Sequence, residues 1–178
     1  MKKNISLYKF SVYSFLFTCI LGTFLHFTFE LSDKNNFVAL FSAVNESTWE
    51  HLKLLFFPML FSTIIGFFYF REKYSNFLCA KIKSICFSLF FTISFFYTYT
   101  GIIGNNFSII DILSFYVSCF IGEYVFSYII KKYPKCNKLF SIIILIILII
   151  MFFSFTFNPP KINLFKDPVN NSYGIVKN

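Results

Sequence analysis

The sequence predicts an all-α protein, a polytopic transmembrane helix bundle with about five spans. Composition is the first reason, because 57% of the residues are hydrophobic and only 13% are charged, whereas soluble domains carry about 25% charged residues. A water-soluble fold of 178 residues has too little interior to bury so many apolar side chains. The second reason is that the apolar residues form long runs, and the third is that the basic residues lie between these runs.

Five apolar runs have the length that a membrane-spanning helix needs. Each contains about 19 to 22 residues, which at about 1.5 Å per residue matches a hydrocarbon core of about 30 Å. The runs cover residues 10–29, 52–70, 82–100, 109–130 and 139–157. Helices are favoured over barrel strands because the runs are long and unbroken. We expect residues 1–157 to form the bundle and residues 158–178 to form a polar C-terminal tail on its outer face.

The distribution of basic residues predicts the orientation of the bundle. Eleven of the 16 Lys and Arg residues lie at one face: before the first run, between the second and third runs or at the very start of the third, or between the fourth and fifth. We call this the cation-rich face, and the opposite one the cation-poor face. Cytoplasmic loops are enriched in Lys and Arg, so we expect a multi-pass protein of the cell membrane with its N-terminus in and its C-terminus out. Because no soluble segment collects the positive charge, the sequence argues against nucleic acid as a partner.

The cysteines indicate neither a disulfide framework nor a structural zinc site. Their number is odd, and no two of them form a CxxC pair. Cys19, Cys86 and Cys119 lie inside apolar runs, whereas Cys79 and Cys136 lie in basic loops. We therefore expect free thiols.

The densest group of polar side chains covers residues 45–53, at the entrance to the second run. On a helix, Glu46 and Glu50 share one face at i, i+4 spacing, and His51 lies on the adjacent face. Two carboxylates and an imidazole at this spacing suit a divalent cation or an acid–base pair.

His26 and Glu30 form a second i, i+4 pair, at the outer end of the first run. The predicted topology brings both pairs to the cation-poor face, so that groups from two helices converge. We predict a divalent metal site formed by His26, Glu30, Glu50 and His51. The carboxylates predicted to act in catalysis are Glu46, Glu50 and Asp167.

The same residues also fit a purely structural role. Ser47 to Glu50 forms an S-x-x-E capping box directly before an apolar run, and Asn45 is an alternative N-cap. Glu46 near a helix start complements the helix dipole. A single histidine inside a span, such as His26, also commonly bonds to a neighbouring helix. The sequence leaves both roles open.

Glu123 lies well inside the fourth run, where a carboxylate must be neutral or paired. Its candidate partners are a lysine that reaches up from the cytoplasmic end and the hydroxyls of Ser88, Tyr124 and Ser127. An inter-helix hydrogen bond is one role for it, and a proton relay or ion site is the other.

Two aspartates complete the set of candidates. Asp111 lies in the first turn of the fourth run, where a carboxylate favours the helix dipole. Asp167 precedes Pro168 in a segment with the composition of a turn. If the tail folds over the outer face, Asp167 joins the cluster at His26.

The segment from Val44 to Pro58, which reads VNESTWEHLKLLFFP, resembles a family of small bacterial membrane proteins of unknown function. The resemblance continues in residues 25–27 and, within the tail, in residues 159–160, 164–168 and 173–175. It implies a multi-span membrane protein and no transferable activity. The motif positions that it marks are His26, Asn45, Glu46, Trp49, Glu50, His51, Asp167 and Tyr173.

Two classes of function fit these observations. The first is an outer-face, metal-assisted hydrolase or transferase that acts on a lipid or envelope substrate. The second is a non-enzymatic small transporter or a subunit of a membrane complex, in which His26 and Glu123 are inter-helix contacts or line a permeation path. In both cases the lipid bilayer is the constant partner, and the sequence leaves the oligomeric state open.

Overall fold

The computed structural model describes residues 6–175, so that Lys2, Lys3 and Lys177 lie outside the described range. Within it the fold is all-helical, as predicted, and five helices are long and apolar enough to cross a membrane. They are α1 (Leu7–Leu31), α3 (Thr48–Phe70), α4 (Phe77–Ile103), α5 (Ser108–Lys132) and α6 (Lys138–Phe157). A short helix, α2 (Asn36–Ala39), lies between the first two spans, and a 3-10 turn covers Asn163–Phe165.

The long helices start one to five residues before the apolar runs. Ser47 is the N-cap of α3, and its hydroxyl accepts a hydrogen bond from the Glu50 amide at 3.4 Å. This places Trp49 and His51 inside the helix. In α4, five residues precede the apolar run, and among them Lys81 is fully buried.

Helix α3 is the centre of the bundle. It contacts α1, α4 and α5 as well as the 3-10 turn, and most of its residues are buried. Trp49, at its start, packs against Phe152 of α6 and Phe165 of the 3-10 turn, with ring centroids 4.6 Å and 4.8 Å apart. The opposite end of the bundle has a second aromatic cluster, in which Phe70 stacks on Phe77.

The expectation that all cysteines are free thiols is wrong for two of them. Cys79 and Cys136 form a disulfide, and their Cα atoms lie 6.3 Å apart, within the range that a disulfide spans. The Asn76 side chain donates to the carbonyls of Ile130 and Tyr133 beside it. These hydrogen bonds bring the loop before α4 against the end of α5. The sequence carries no sign of this proximity, because the two cysteines are separated by 57 residues.

Candidate functional site: a histidine–glutamate cluster at the cation-poor face

Three elements meet at the cation-poor face of the bundle. The last turns of α1 supply His26, the loop before α3 supplies Glu46, and the first turn of α3 supplies His51. One potential ligand atom from each of these side chains lies within 4.8 Å of the other two. We call this group the histidine–glutamate cluster. Convergence of both histidines agrees with the expectation from sequence.

The spacing of the cluster suits a shared cation. The Oε2 atom of Glu46 lies 3.5 Å from Nε2 of His51 and 4.0 Å from Nε2 of His26. Two ligand atoms of a tetrahedral zinc ion are about 3.4 Å apart, since each lies about 2.0–2.1 Å from the metal. The edge from Glu46 to His51 therefore already has about the required length, the edge from Glu46 to His26 exceeds it by about 0.6 Å, and the edge between the two histidines is at most 4.8 Å.

The tautomer of His51 also suits a bound cation. Its Nδ1 lies 3.0 Å from the Ser47 carbonyl oxygen, and a carbonyl can only accept, so Nδ1 carries the hydrogen. In the neutral ring, Nε2 then presents a lone pair toward the carboxylate of Glu46. Two acceptors face each other stably only with a proton or a metal ion between them. At 3.5 Å the pair is too long for a good N–H···O hydrogen bond, and this length favours a metal.

A backbone carbonyl that fixes a histidine ring in this way is the usual outer-shell partner of a metal ligand. The cluster is also open to solvent, because the side chains of His26 and His51 are 35% and 36% exposed and that of Glu46 is 48% exposed. A metal held by three protein ligands at such a site retains a free position for water or substrate.

The loop that carries Glu46 is fixed at both ends. The Ser42 hydroxyl donates to the Leu25 carbonyl and accepts from the Phe29 amide at 3.0 Å, which joins the loop to α1 around His26. The Asn45 side chain accepts from the Ser47 amide and donates to the Gly174 carbonyl, each at 2.9 Å. The side chain of Glu46 is therefore presented from a constrained backbone.

Glu50 occupies a different position from the one predicted. Its side chain is 3% exposed, and Oε2 lies 2.5 Å from Nζ of Lys53 and 3.0 Å from the Val44 amide. The Lys53 ammonium also donates to the Ala39 carbonyl at 2.7 Å and to the Thr156 hydroxyl at 2.9 Å. Glu50 therefore links α3 to the loop, α2 and α6, and it faces away from the histidines. Glu46 is the carboxylate that joins the histidines instead. Because α3 begins at Thr48, Glu46 lies before the helix and does not share a helical face with Glu50.

Glu30 lies beside the cluster. It lines a cavity of about 280 Å³ together with His26, Asn45 and Glu46. Phe27 lines the same cavity and is 56% exposed. The cavity thus combines an apolar wall with carboxylates, although Glu30 lies outside the group of three converging ligand atoms.

Asp167 is buried, and its carboxylate is directed into its own turn. One of its oxygens accepts from the amides of Val169, at 2.7 Å, and Asn170, at 3.4 Å. The second oxygen accepts from the Asn170 side chain at 3.3 Å. The tail folds back as one of the expectations had it, since Phe165 packs on Trp49. The carboxylate of Asp167 nevertheless forms its hydrogen bonds within the tail.

The carboxylate inside the fourth span has the lysine partner that the sequence suggested. Oε1 of Glu123 accepts from Nζ of Lys81 and from the Ser14 hydroxyl, both at 2.6 Å. Oγ of Ser14 also lies 2.9 Å from Oγ of Ser62 in α3. The suggested partner Ser88 instead donates to the Ser118 carbonyl. Asp111 accepts from the hydroxyl of Tyr99 in the neighbouring helix.

Sequence reasoning missed the role of Lys53 and did not identify Lys81 as the lysine that pairs with Glu123. Both lie within a turn or so of the start of a span, where lysine is common as an interface residue, yet both are fully buried. The available signal was the i, i+3 spacing of Glu50 and Lys53. For Lys81 the signal was the carboxylate of Glu123, which needed a partner at membrane depth.

Comparison with known proteins adds the family to this description. No curated protein and no solved structure matches the chain. The model of one protein family covers residues 1–175, which is nearly the whole chain. The chain therefore belongs to the family of unknown function DUF6512.

Proposed function

We propose that this chain is a multi-pass protein of the cell membrane that binds a divalent metal ion, zinc being the best match, through His26, Glu46 and His51. The observation that carries the proposal is the His51 ring, which the Ser47 carbonyl fixes so that Nε2 faces the Glu46 carboxylate. Two nitrogens and one carboxylate oxygen are a common ligand set for catalytic zinc. Two carboxylates of the ligand set predicted from sequence are thereby changed: Glu46 replaces Glu50, and Glu30 becomes a neighbour of the metal instead of a ligand.

The reaction we propose is a metal-assisted hydrolysis or transfer on a lipid or envelope substrate. A bound divalent metal polarises the bond under attack and activates a water molecule in its open position. Glu30 lines the adjoining cavity, and we assign it the role of general base that takes the proton from that water. The resulting hydroxide would add to the ester carbon or phosphorus, and the ester oxygen would leave with the proton returned by Glu30.

The surroundings of the cavity support a lipid substrate. Phe27 lies in its wall, and Leu31 and Phe37, in the same region of the chain, are 74% and 70% exposed. Exposed apolar side chains at the end of a spanning helix contact acyl chains. A lipid there has its headgroup at the depth of the carboxylates and its tails beside α1.

Zinc analysis of the purified protein tests the site directly. We expect about one equivalent of zinc in the wild type after dialysis, and loss of it in His26→Ala, Glu46→Gln and His51→Ala. The matched control is Glu72→Gln, an exposed carboxylate of the cation-rich face, which should retain the metal. A wild-type protein that binds no zinc, cobalt or manganese, or variants that bind as well as wild type, would exclude the proposed site.

Activity is tested separately, with vesicles that contain phosphatidylglycerol and phosphatidylethanolamine and mass spectrometry of the products. We expect turnover that needs added zinc and falls in Glu30→Gln while zinc remains bound. Zinc binding without turnover of either lipid, or of a lipid-linked cell-wall precursor, would retain the site and refute the hydrolase.

A further inference from the structure

A line of polar side chains runs through the bundle where α1 faces α5. Its rungs pair one residue of each helix: Ser11 with Ser127 at 3.1 Å, Ser14 with Glu123 at 2.6 Å, Cys19 with Cys119, and Thr23 with Tyr116 at 3.2 Å. We call this line the α1–α5 seam. It begins near the cation-rich face and ends one turn of α1 before His26. From Ser11 to Thr23 it extends about 18 Å along α1.

Two oxygen atoms in the seam have unused hydrogen-bonding capacity. Oε2 of Glu123 and Oγ1 of Thr18 are buried and have no hydrogen-bond partner among the described residues. Glu123 as a whole is 6% exposed and Thr18 is 1% exposed. Buried polar atoms are normally paired with protein or with ordered water, so these two atoms are free to bond to water. Glu123 belongs to the second rung, and Thr18 lies one turn along α1 from Ser14.

We propose that the α1–α5 seam conducts protons across the membrane, and that Glu123 is the group that takes up and releases them. Along α1, successive rungs are three to five residues apart, which is about 4.5–7.5 Å. Two hydrogen bonds in series span a distance of this order, so the proposal requires one bridging water molecule between successive rungs. Hydroxyls, thiols and a carboxylate both donate and accept once protonated, which proton transfer along a chain requires.

The proton-transfer step balances at the Lys81–Glu123 pair. A proton that arrives at Oε2 of Glu123 forms a neutral carboxylic acid, and Lys81 keeps its ammonium charge. Release of that proton toward the other face restores the ion pair. While Glu123 is neutral, the ammonium is stabilised by the rings of Phe126 and Phe10, whose centroids lie 4.3 Å and 4.9 Å from Nζ.

Every element packed around Glu123 contributes a group to this centre. Lys81 comes from α4, Ser14 from α1, and Ser62, through Ser14, from α3. On α5 itself, Cys119 lies one turn away. Lys81 is the charged group in contact with the carboxylate. The proposal does not depend on a metal at the histidine–glutamate cluster.

The test uses the full chain in proteoliposomes that contain the pH-sensitive dye pyranine. An imposed pH gradient, with potassium and valinomycin to remove the membrane potential, should collapse faster than in protein-free vesicles. Glu123→Gln should reduce the protein-dependent rate by about tenfold or more, since it removes the exchangeable group while preserving shape. This variant should still bind zinc if the wild type does.

Thr18→Val provides a second variant that leaves the ion pair intact. It replaces the unpartnered hydroxyl by a methyl group of the same size, and it should slow the flux several-fold. The matched control is Thr63→Val, whose hydroxyl bonds only to the Met59 carbonyl of its own helix, and this variant should conduct at the wild-type rate. The proposal is overturned if wild-type vesicles are no leakier than empty ones, or if Thr18→Val, which keeps the ion pair intact, conducts at the wild-type rate.

Discussion

The buried ion pair of Glu50 and Lys53 helps to position the histidine–glutamate cluster. Lys53 is fully buried. Its ammonium bonds to Glu50 of α3, to Thr156 of α6 and to the carbonyl of Ala39 at the end of α2. Glu50 in turn holds the amide of Val44, two residues before Glu46. The charges at this pair are satisfied as a network, and removal of one partner strands the other inside the protein.

Lys53→Met should therefore destabilise the fold strongly. The substitution keeps the apolar stem of the side chain and removes the ammonium, which leaves the Glu50 carboxylate buried without a counter-charge. We expect a loss of about 3–5 kcal/mol, measured as a lower midpoint of thermal unfolding in detergent. The double variant Glu50→Gln/Lys53→Met removes both charges, and its amide oxygen still accepts from Val44. It should recover most of the loss, and equal midpoints for the single variant and the wild type would contradict the role given to the pair.

The structure brings together both predicted histidines and Glu46, whereas Glu30, Glu50 and Asp167 lie outside that group. The two histidines are brought together because their helices pack side by side, which follows from the order of the spans. The choice between Glu46 and Glu50 depends on whether α3 starts before or after residue 46, and a helix start is uncertain by a few residues from sequence. That shift changes which carboxylate points to solvent and which points to Lys53.

At the scale of the helices, α1 crosses α3 and α5 closely at Gly22. A Cβ atom at this position would overlap the Leu54 carbonyl oxygen of α3 and would lie 2.6 Å from Cζ of Phe115 in α5. Small residues at such crossings let helix backbones approach, and packing of this kind holds helices together in a membrane. The same crossing sets the distance between α1 and α3, on which the meeting of His26 and His51 depends.

Gly22→Ala should consequently separate α1 from α3. The Leu54 carbonyl is part of the backbone and cannot move aside as a flexible side chain can. We therefore expect a loss of about 1–3 kcal/mol in stability and weaker zinc binding by the cluster. Gly101→Ala is the matched control, since Gly101 is also helical and no atom lies within 4 Å of its added Cβ. Unchanged stability and zinc binding in Gly22→Ala would show that this crossing does not position the site.

The number and type of the long helices could be read from the sequence because spanning length and apolar composition are required of each helix by itself. Contacts between helices carry no such local signature. The disulfide of Cys79 and Cys136, and the pairing of Lys81 with Glu123 across 42 residues, depend on which helices are neighbours. The sequence indicated only that Glu123, inside a span, needs a partner.

For the molecule as a whole, orientation decides which compartment the candidate site faces. Lys53 and Lys81 are neutralised in buried pairs, so neither acts as a loop charge. Lys53 belongs to the cation-poor face and Lys81 to the cation-rich face. When both are left out of the count, the excess of cations stays on the cation-rich face. The disulfide of Cys79 and Cys136 lies on that same face, and disulfides persist mainly in oxidising compartments. The two features thus favour opposite orientations.

Reporter fusions separate these alternatives. Because loop cations act during insertion, before a disulfide can form, we predict that they prevail. A phosphatase reporter after Asn178 should be active outside the cytoplasm, and a fluorescent reporter after Pro134, on the cation-rich face, should fold inside it. The histidine–glutamate cluster then faces outward, and the disulfide is exposed to cytoplasmic thiols that can open it. The reverse pattern would place the disulfide in an oxidising compartment and the cluster in the cytoplasm, where its substrate would have to come from the inner leaflet.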